Sequence, residues 1–362
     1  MKKRKSPYLR SFGWGMFLAG ALSLCSCSSD EMLDQQGQEQ EVAIEFGKLK
    51  TRAAVNSATD IREFGVFADM NTIPNNDYIS LLDYEKVTRV GTSNDFTYTN
   101  KRYWVNGHNF RFFAVFPHVE DKEYAAPYGT NYSTYVSEPV VTAEGYQISF
   151  VTPPSADIDF MTAYAERDLS KTLDYSAVNL NFAHALSKIN IKVAKHSKNE
   201  SNKVIVKSVK LIGVYDEGTY NTSMGEGNWS IDGSSTINIV NDFSDSNDPN
   251  IGLELISGGS ETMGNGLLLI PQEFGNRHKV QVQIIYDFYM YDDESGTEGT
   301  ESGTDTMKNQ TVTATLPLDV DWVEGKHYTY NIVLQAVSNE IMFNKPMIKD
   351  WGKQTGATIL IK

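Results

Sequence analysis

Lys279-Val280-Gln281-Val282-Gln283-Ile284 alternates polar and apolar side chains with a period of two. Successive side chains of an extended strand point to opposite faces, so Val280, Val282 and Ile284 share one face while Lys279, Gln281 and Gln283 share the other. A strand of this kind buries one face only, unlike the strands of a parallel sheet covered by helices on both sides. The same habit recurs elsewhere. Ile189, Ile191 and Val193 alternate with Lys188, Asn190 and Lys192, and Tyr328, Tyr330, Ile332 and Leu334 keep the same period. No window from Ile61 onward carries the 3.6-residue period of an amphipathic helix. Gly, Asn and Asp between the runs supply turns. The chain therefore reads as all-β, with strands at sandwich spacing.

Working outward, Val204-Ile205-Val206-Lys207-Ser208-Val209-Lys210-Leu211 switches its apolar phase near Lys207 and Ser208, which predicts a β-bulge there. Tyr103-Trp104 and the run Phe110-Arg111-Phe112-Phe113-Ala114-Val115-Phe116-Pro117 concentrate aromatic bulk and are expected at the centre of a first core. Asp292 to Asp305 is a Gly, Ser and Thr stretch dense in carboxylates and is expected to be a long hairpin loop. Its Asp292, Asp293, Glu294, Glu298, Glu301 and Asp305 invite calcium, yet the spacing does not match an EF-hand, and a solvated loop is the preferred reading.

The remaining composition excludes several functions. A net charge of -14 argues against nucleic acid, whose phosphates need a basic footprint. The six histidines stand without an i, i+4 pair or a nearby cysteine, so no metal site is expected. Neither a Gly-x-Ser-x-Gly elbow nor a phosphate-cradling glycine loop occurs, and no catalytic residue or cofactor is expected.

The N-terminus carries its own signal. Lys2, Lys3, Arg4, Lys5 and Arg10 precede a short apolar run that ends in Leu24-Cys25-Ser26-Cys27. From Phe12 to Leu24 the run is shorter than the roughly 20 residues of a membrane span, so it reads as a cleaved export signal. Counting back from Cys27, Leu24 and Ser26 occupy the positions of a bacterial lipobox, which makes Cys27 the expected lipidation site. Both cysteines lie here, so the mature body holds no disulfide. Ser28 to Glu41 is polar and is expected to be a solvated tether. In Val42-Ala43-Ile44-Glu45-Phe46, the residues Val42, Ile44 and Phe46 present one apolar face and Glu45 points the other way. The expected organisation is a signal peptide at 1–26, a tether segment at 27–52, an N-terminal β-sandwich domain at 53–177 and a C-terminal one at 178–362.

Landmarks spread through the body carry a resemblance. They are Tyr103-Trp104, Phe112-Phe113-Ala114-Val115-Phe116-Pro117, Asp159-Phe160-Met161-Thr162-Ala163 and Leu180-Asn181-Phe182-Ala183-His184-Ala185-Leu186-Ser187-Lys188-Ile189. Leu268-Leu269-Ile270-Pro271-Gln272, then Trp322, Gly325, Tyr328 and Tyr330, and finally Asp350-Trp351 complete the series. In this order they resemble the fimbrillin family of Bacteroides-type bacteria, lipoprotein precursors of type V pili. Val105 departs from the pattern, since related chains often have proline after Tyr-Trp. The resemblance implies two tandem transthyretin-like β-sandwich domains and lipid-anchored transit to the outer membrane. It further implies that 27–52 is a propeptide, removed through cleavage by an arginine-specific protease, here between Arg52 and Ala53. That cut removes a plug strand, here Val42, Ile44 and Phe46, and lets other fimbrial subunits add head to tail by strand exchange into a cell-surface fimbrium. The candidate donor strand is the C-terminal end, with Ala357, Ile359 and Ile361 on one face and Leu360 interrupting it. The alternative for that end is a last edge strand of the second domain's own sheet. The alternative for the whole chain is a surface lipoprotein that never polymerises, either a pilus anchor or a module binding glycan or host protein.

Overall fold

The computed structural model of the 362-residue chain describes residues 42–47, 50–51 and 61–351, except 74, 76, 92–94, 121–132, 143–144, 197–201, 224–225, 232, 245–250, 257–258, 275–277, 290–305, 317–319 and 337–338. No α-helix occurs among the described residues, and the strands, numbered along the chain, form four sheets. The fold is all-β, as the two-residue periods require.

Two five-stranded sheets form the C-terminal sandwich. One orders β16 (Ser260–Leu269), β10 (Ser187–Lys195), β19 (Lys326–Gln335) and β20 (Glu340–Phe343), with β21 (Met347–Asp350) also on β19. The other orders β14 (Thr236–Asp242), β11 (Lys203–Tyr215), β17 (Gln281–Tyr289) and β18 (Thr306–Thr315), with β15 (Leu253–Glu254) also on β11. Ile189, Ile191 and Val193 of β10 and Tyr328, Tyr330, Ile332 and Leu334 of β19 meet Val204, Val206 and Val209 of β11 and Val282, Ile284, Tyr286 and Phe288 of β17 in one core. Lys188, Asn190 and Lys192, the alternate residues of β10, are only half-buried.

The phase switch in β11 marks a real irregularity, because its register against β17 shifts between Val206 and Ser208. The buried Lys207 side chain lies 3.3 Å from Asp287 and donates a hydrogen bond to the Ile251 carbonyl at 2.9 Å. Asp287 in turn accepts from the Asn309 amide at 2.8 Å. Both charges are thus partnered where they leave water. Strands β17 and β18 stay paired up to Tyr289 and Thr306, and the expected Asp292–Asp305 loop lies outside the described residues.

The seven-stranded sheet orders β1 (Lys50–Thr51), β9 (Asn181–His184), β8 (Met161–Asp168), β5 (Asn109–Phe116), β2 (Glu63–Asn71), β3 (Tyr78–Arg89) and β4 (Phe96–Thr97). The aromatic run is β5, fourth of the seven, and it is buried on both faces. Phe110, Phe112, Ala114 and Phe116 enter one core; Phe113 and Val115 enter another. This second face is covered by a four-stranded sheet of β13 (Glu226–Ser230), β12 (Glu217–Ser223), β7 (Tyr146–Val151) and β6 (Val140–Val141). Ile148, Phe150 and Tyr220 are its buried contributions. Strand pairing crosses residues 177/178 three times, since β9 pairs with both β8 and β1 and β12 pairs with β7.

Candidate assembly groove

The first face of the seven-stranded sheet is closed partly by Val42–Gly47. This segment lies between two others, with Ala43 bridging Tyr103 in the antiparallel sense and Phe46 bridging Val178 in the parallel sense. On one edge the Ile44 amide donates to the Arg102 carbonyl at 2.8 Å and the Trp104 amide donates to the Val42 carbonyl at 3.0 Å. On the other edge the Val178 amide donates to Glu45 at 2.7 Å and the Gly47 amide donates to Val178 at 3.0 Å. Farther on, Lys50 and Thr51 of β1 pair in parallel with Asn181 and Phe182 of β9.

Alternation decides which side chains enter the core. Ile44 is fully buried, Phe46 is 3% exposed, and Glu45 between them is exposed. Phe46 meets Phe64, Tyr98 and Phe112 at centroid distances of 6.1, 5.5 and 6.1 Å, edge to face in each case. This is the arrangement that aromatic quadrupoles favour. Trp104 closes the neighbouring space against Phe110 and Phe112 at 4.9 and 5.9 Å. The Tyr98 hydroxyl accepts from the Arg102 amide at 3.1 Å and donates to the Ile44 carbonyl at 3.0 Å. Burial pushes the Tyr98 phenol up, so it remains a neutral donor at physiological pH. A side chain at Gly47 would place its Cβ 3.0 Å from both Ala177 and Asn179, so glycine allows the close approach to residues 177–179.

Taking this segment away would strip partners from the Arg102 carbonyl, the Trp104 amide, both polar groups of Val178 and the Tyr98 hydroxyl. Each such group, if left buried and unpaired, costs about 1–3 kcal/mol. The emptied space is therefore an apolar slot with hydrogen-bonding groups on two rims, shaped to take an extended strand.

Arg52 and Ala53 follow β1 directly in the chain and lie outside the described residues, as do Cys27 and the candidate donor residues Ala357, Ile359 and Ile361. Tyr98, Arg102 and Val178 were not singled out by sequence reasoning. Single-residue bridges leave no periodic trace, and the aromatic cluster at Tyr103-Trp104 was the nearest signal.

The distant landmarks prove to be anchors of the folded body. His184 Nδ1 lies 2.7 Å from Asp159, and the His184 ring stacks on Trp351 at 3.6 Å, which joins three landmarks. Trp322 bridges Gln272 and donates its indole N–H to the Tyr330 hydroxyl at 2.9 Å, while the Tyr328 hydroxyl donates to the Asp321 carbonyl at 2.8 Å. A family profile described as fimbrillin-like matches residues 51–351. The chain belongs to the fimbrillin-like family. Fimbrillin-like proteins are structural, and this chain is accordingly non-enzymatic. Among solved structures, a fimbrial protein from Bacteroides vulgatus is 19% identical, with a TM-score of 0.59 over 85% of this chain and 99% of that one. A candidate cell adhesion protein from Bacteroides ovatus is 15% identical, with a TM-score of 0.51 over 86% of this chain and 98% of that one. Both share the fold of this fimbrillin-like chain. No curated protein matches it.

Proposed function

We propose that the protein is a structural or tip subunit of a cell-surface fimbrium that supports adhesion. In this reading it is exported as a lipoprotein, held at the outer membrane through Cys27 and cut between Arg52 and Ala53 by an arginine-specific protease. It then joins other fimbrial subunits head to tail. The 27–52 tether carries the plug, and two β-sandwich domains follow, with β9 and the β12–β13 pair reaching back to the first.

One observation carries the reading. Val42–Gly47 is hydrogen-bonded on both edges and buries Ile44 and Phe46, yet it stands upstream of Arg52 and of every residue that the family profile matches. A cut at Arg52 would detach a strand that the core needs, and a strand from a neighbour would restore both rims by β-augmentation. Such a contact joins unlike surfaces, so it extends as a filament and does not close into a dimer. The C-terminal stretch with Ala357, Ile359 and Ile361 is the candidate donor to the next subunit.

Arg52→Ala tests the reading in cells. The variant is expected to accumulate as an unprocessed, lipidated monomer at the outer membrane. Polymer ladders as long as those of the parent protein would contradict it.

A further inference from the structure

We infer that the groove accepts a strand with an aliphatic residue followed two positions later by an aromatic ring, and that residues 352–362 of this chain are not the strand it takes. This rests on the strand-exchange reading above and adds to it the side-chain pattern of the entering strand.

The present occupant sets the requirement. Ile44 fills a fully enclosed position, and two residues on Phe46 enters a socket whose walls are the rings of Phe64, Tyr98 and Phe112. An aliphatic side chain there loses the edge-to-face contacts and leaves part of the socket empty. The facing of the strand is fixed as well. The Tyr98 hydroxyl, itself a socket wall, bonds the Ile44 carbonyl, so a strand shifted by one residue, which turns its other face to the core, gives up that bond.

The candidate donor stretch does not meet the requirement. Residues 352–362, Gly-Lys-Gln-Thr-Gly-Ala-Thr-Ile-Leu-Ile-Lys, contain no aromatic residue. With Ala357, Ile359 and Ile361 laid over Val42, Ile44 and Phe46, the enclosed position is satisfied, but the socket receives Ile361 and the entrance receives alanine. One substitution, Ile361→Phe, would supply the missing ring at the matching place.

The test uses the full chain cut after Arg52 with an arginine-specific protease and freed of the released segment. Three labelled peptides are titrated into it: residues 41–49, the same peptide with Phe46→Ile, and residues 354–362. The first is expected to bind on the order of tenfold tighter or more than either of the others. The cut parent chain alone is expected to stay monomeric, while cut Ile361→Phe forms ladders resistant to mild detergent. Equal binding of the 354–362 peptide, or parent ladders as long as those of Ile361→Phe, would overturn the inference and leave strand exchange standing. Failure of the 41–49 peptide itself to bind would bring down strand exchange and this inference with it.

Discussion

The C-terminal sandwich and the core beneath the seven-stranded sheet are built from the same kinds of side chain but are closed in different ways. Apart from Ala156, every buried member of the first lies between Ile189 and Ala336, and its strands hold long ladders such as that from Lys203–Tyr289 to Ile212–Gln281. The second is completed by Ile44 and Phe46 from a segment that makes only two single-residue bridges. A long ladder ties closure to many backbone bonds along one continuous stretch, and nothing short can substitute for it. A short inserted segment concentrates closure in two deep side chains and a few rim bonds, which in the proposed exchange another strand of like pattern would supply. In that reading stability and replaceability are separated within one chain.

Substitutions in the two cores sharpen this contrast. Phe288→Ala in the C-terminal sandwich is expected to cost about 3–5 kcal/mol, and Ile44→Ala in the inserted segment about 2–5 kcal/mol, both read from denaturant unfolding. Added peptide 41–49 should restore stability to the Ile44→Ala protein once it is cut after Arg52, and should leave Phe288→Ala unchanged. Rescue of both, or of neither, would erase the distinction. Tyr98→Phe removes a single hydroxyl that bridges two backbone groups and is expected to cost about 0.5–1.5 kcal/mol in the uncut chain. After cutting and removal of the segment, the same substitution should cost less, because its acceptor has left.

A pH-dependent effect belongs to a carboxylate away from the groove. Burial pushes the Glu324 carboxyl from 4.5 up to about 7, in a cavity that it lines with Thr162, His184 and Tyr220. Between those two values the native protein holds a proton that the unfolded chain has released, so this group's contribution to stability is present below about pH 4.5 and is lost as pH rises toward 7. Glu324→Gln should therefore gain more in Tm over the parent at pH 8 than at pH 5. An equal gain at both would show that Glu324 is not held neutral by the fold.

Local pattern exposed much of this architecture. The two-residue periods of β10, β17 and β19, the bulge at Lys207 and the central place of the Phe110–Phe116 run all follow from which side chains must leave water. The segment's alternation at Val42, Ile44 and Phe46 was equally visible. Its neighbours were not, because Tyr103 and Val178 each contribute one bridge, and the packing of distant segments selects them. For the same reason the parallel pairing of β10 with β19 and the return of β12 to β7 leave no mark in any sequence window.

Amide hydrogen exchange measured on the uncut chain, and again after cutting at Arg52 and removing the segment, tests the replaceable closure most directly. The Trp104 and Val178 amides, which donate to Val42 and Glu45, should lose their protection while the amides of β17 keep theirs. Unchanged protection of Trp104 and Val178 in the cut and separated protein would contradict the account.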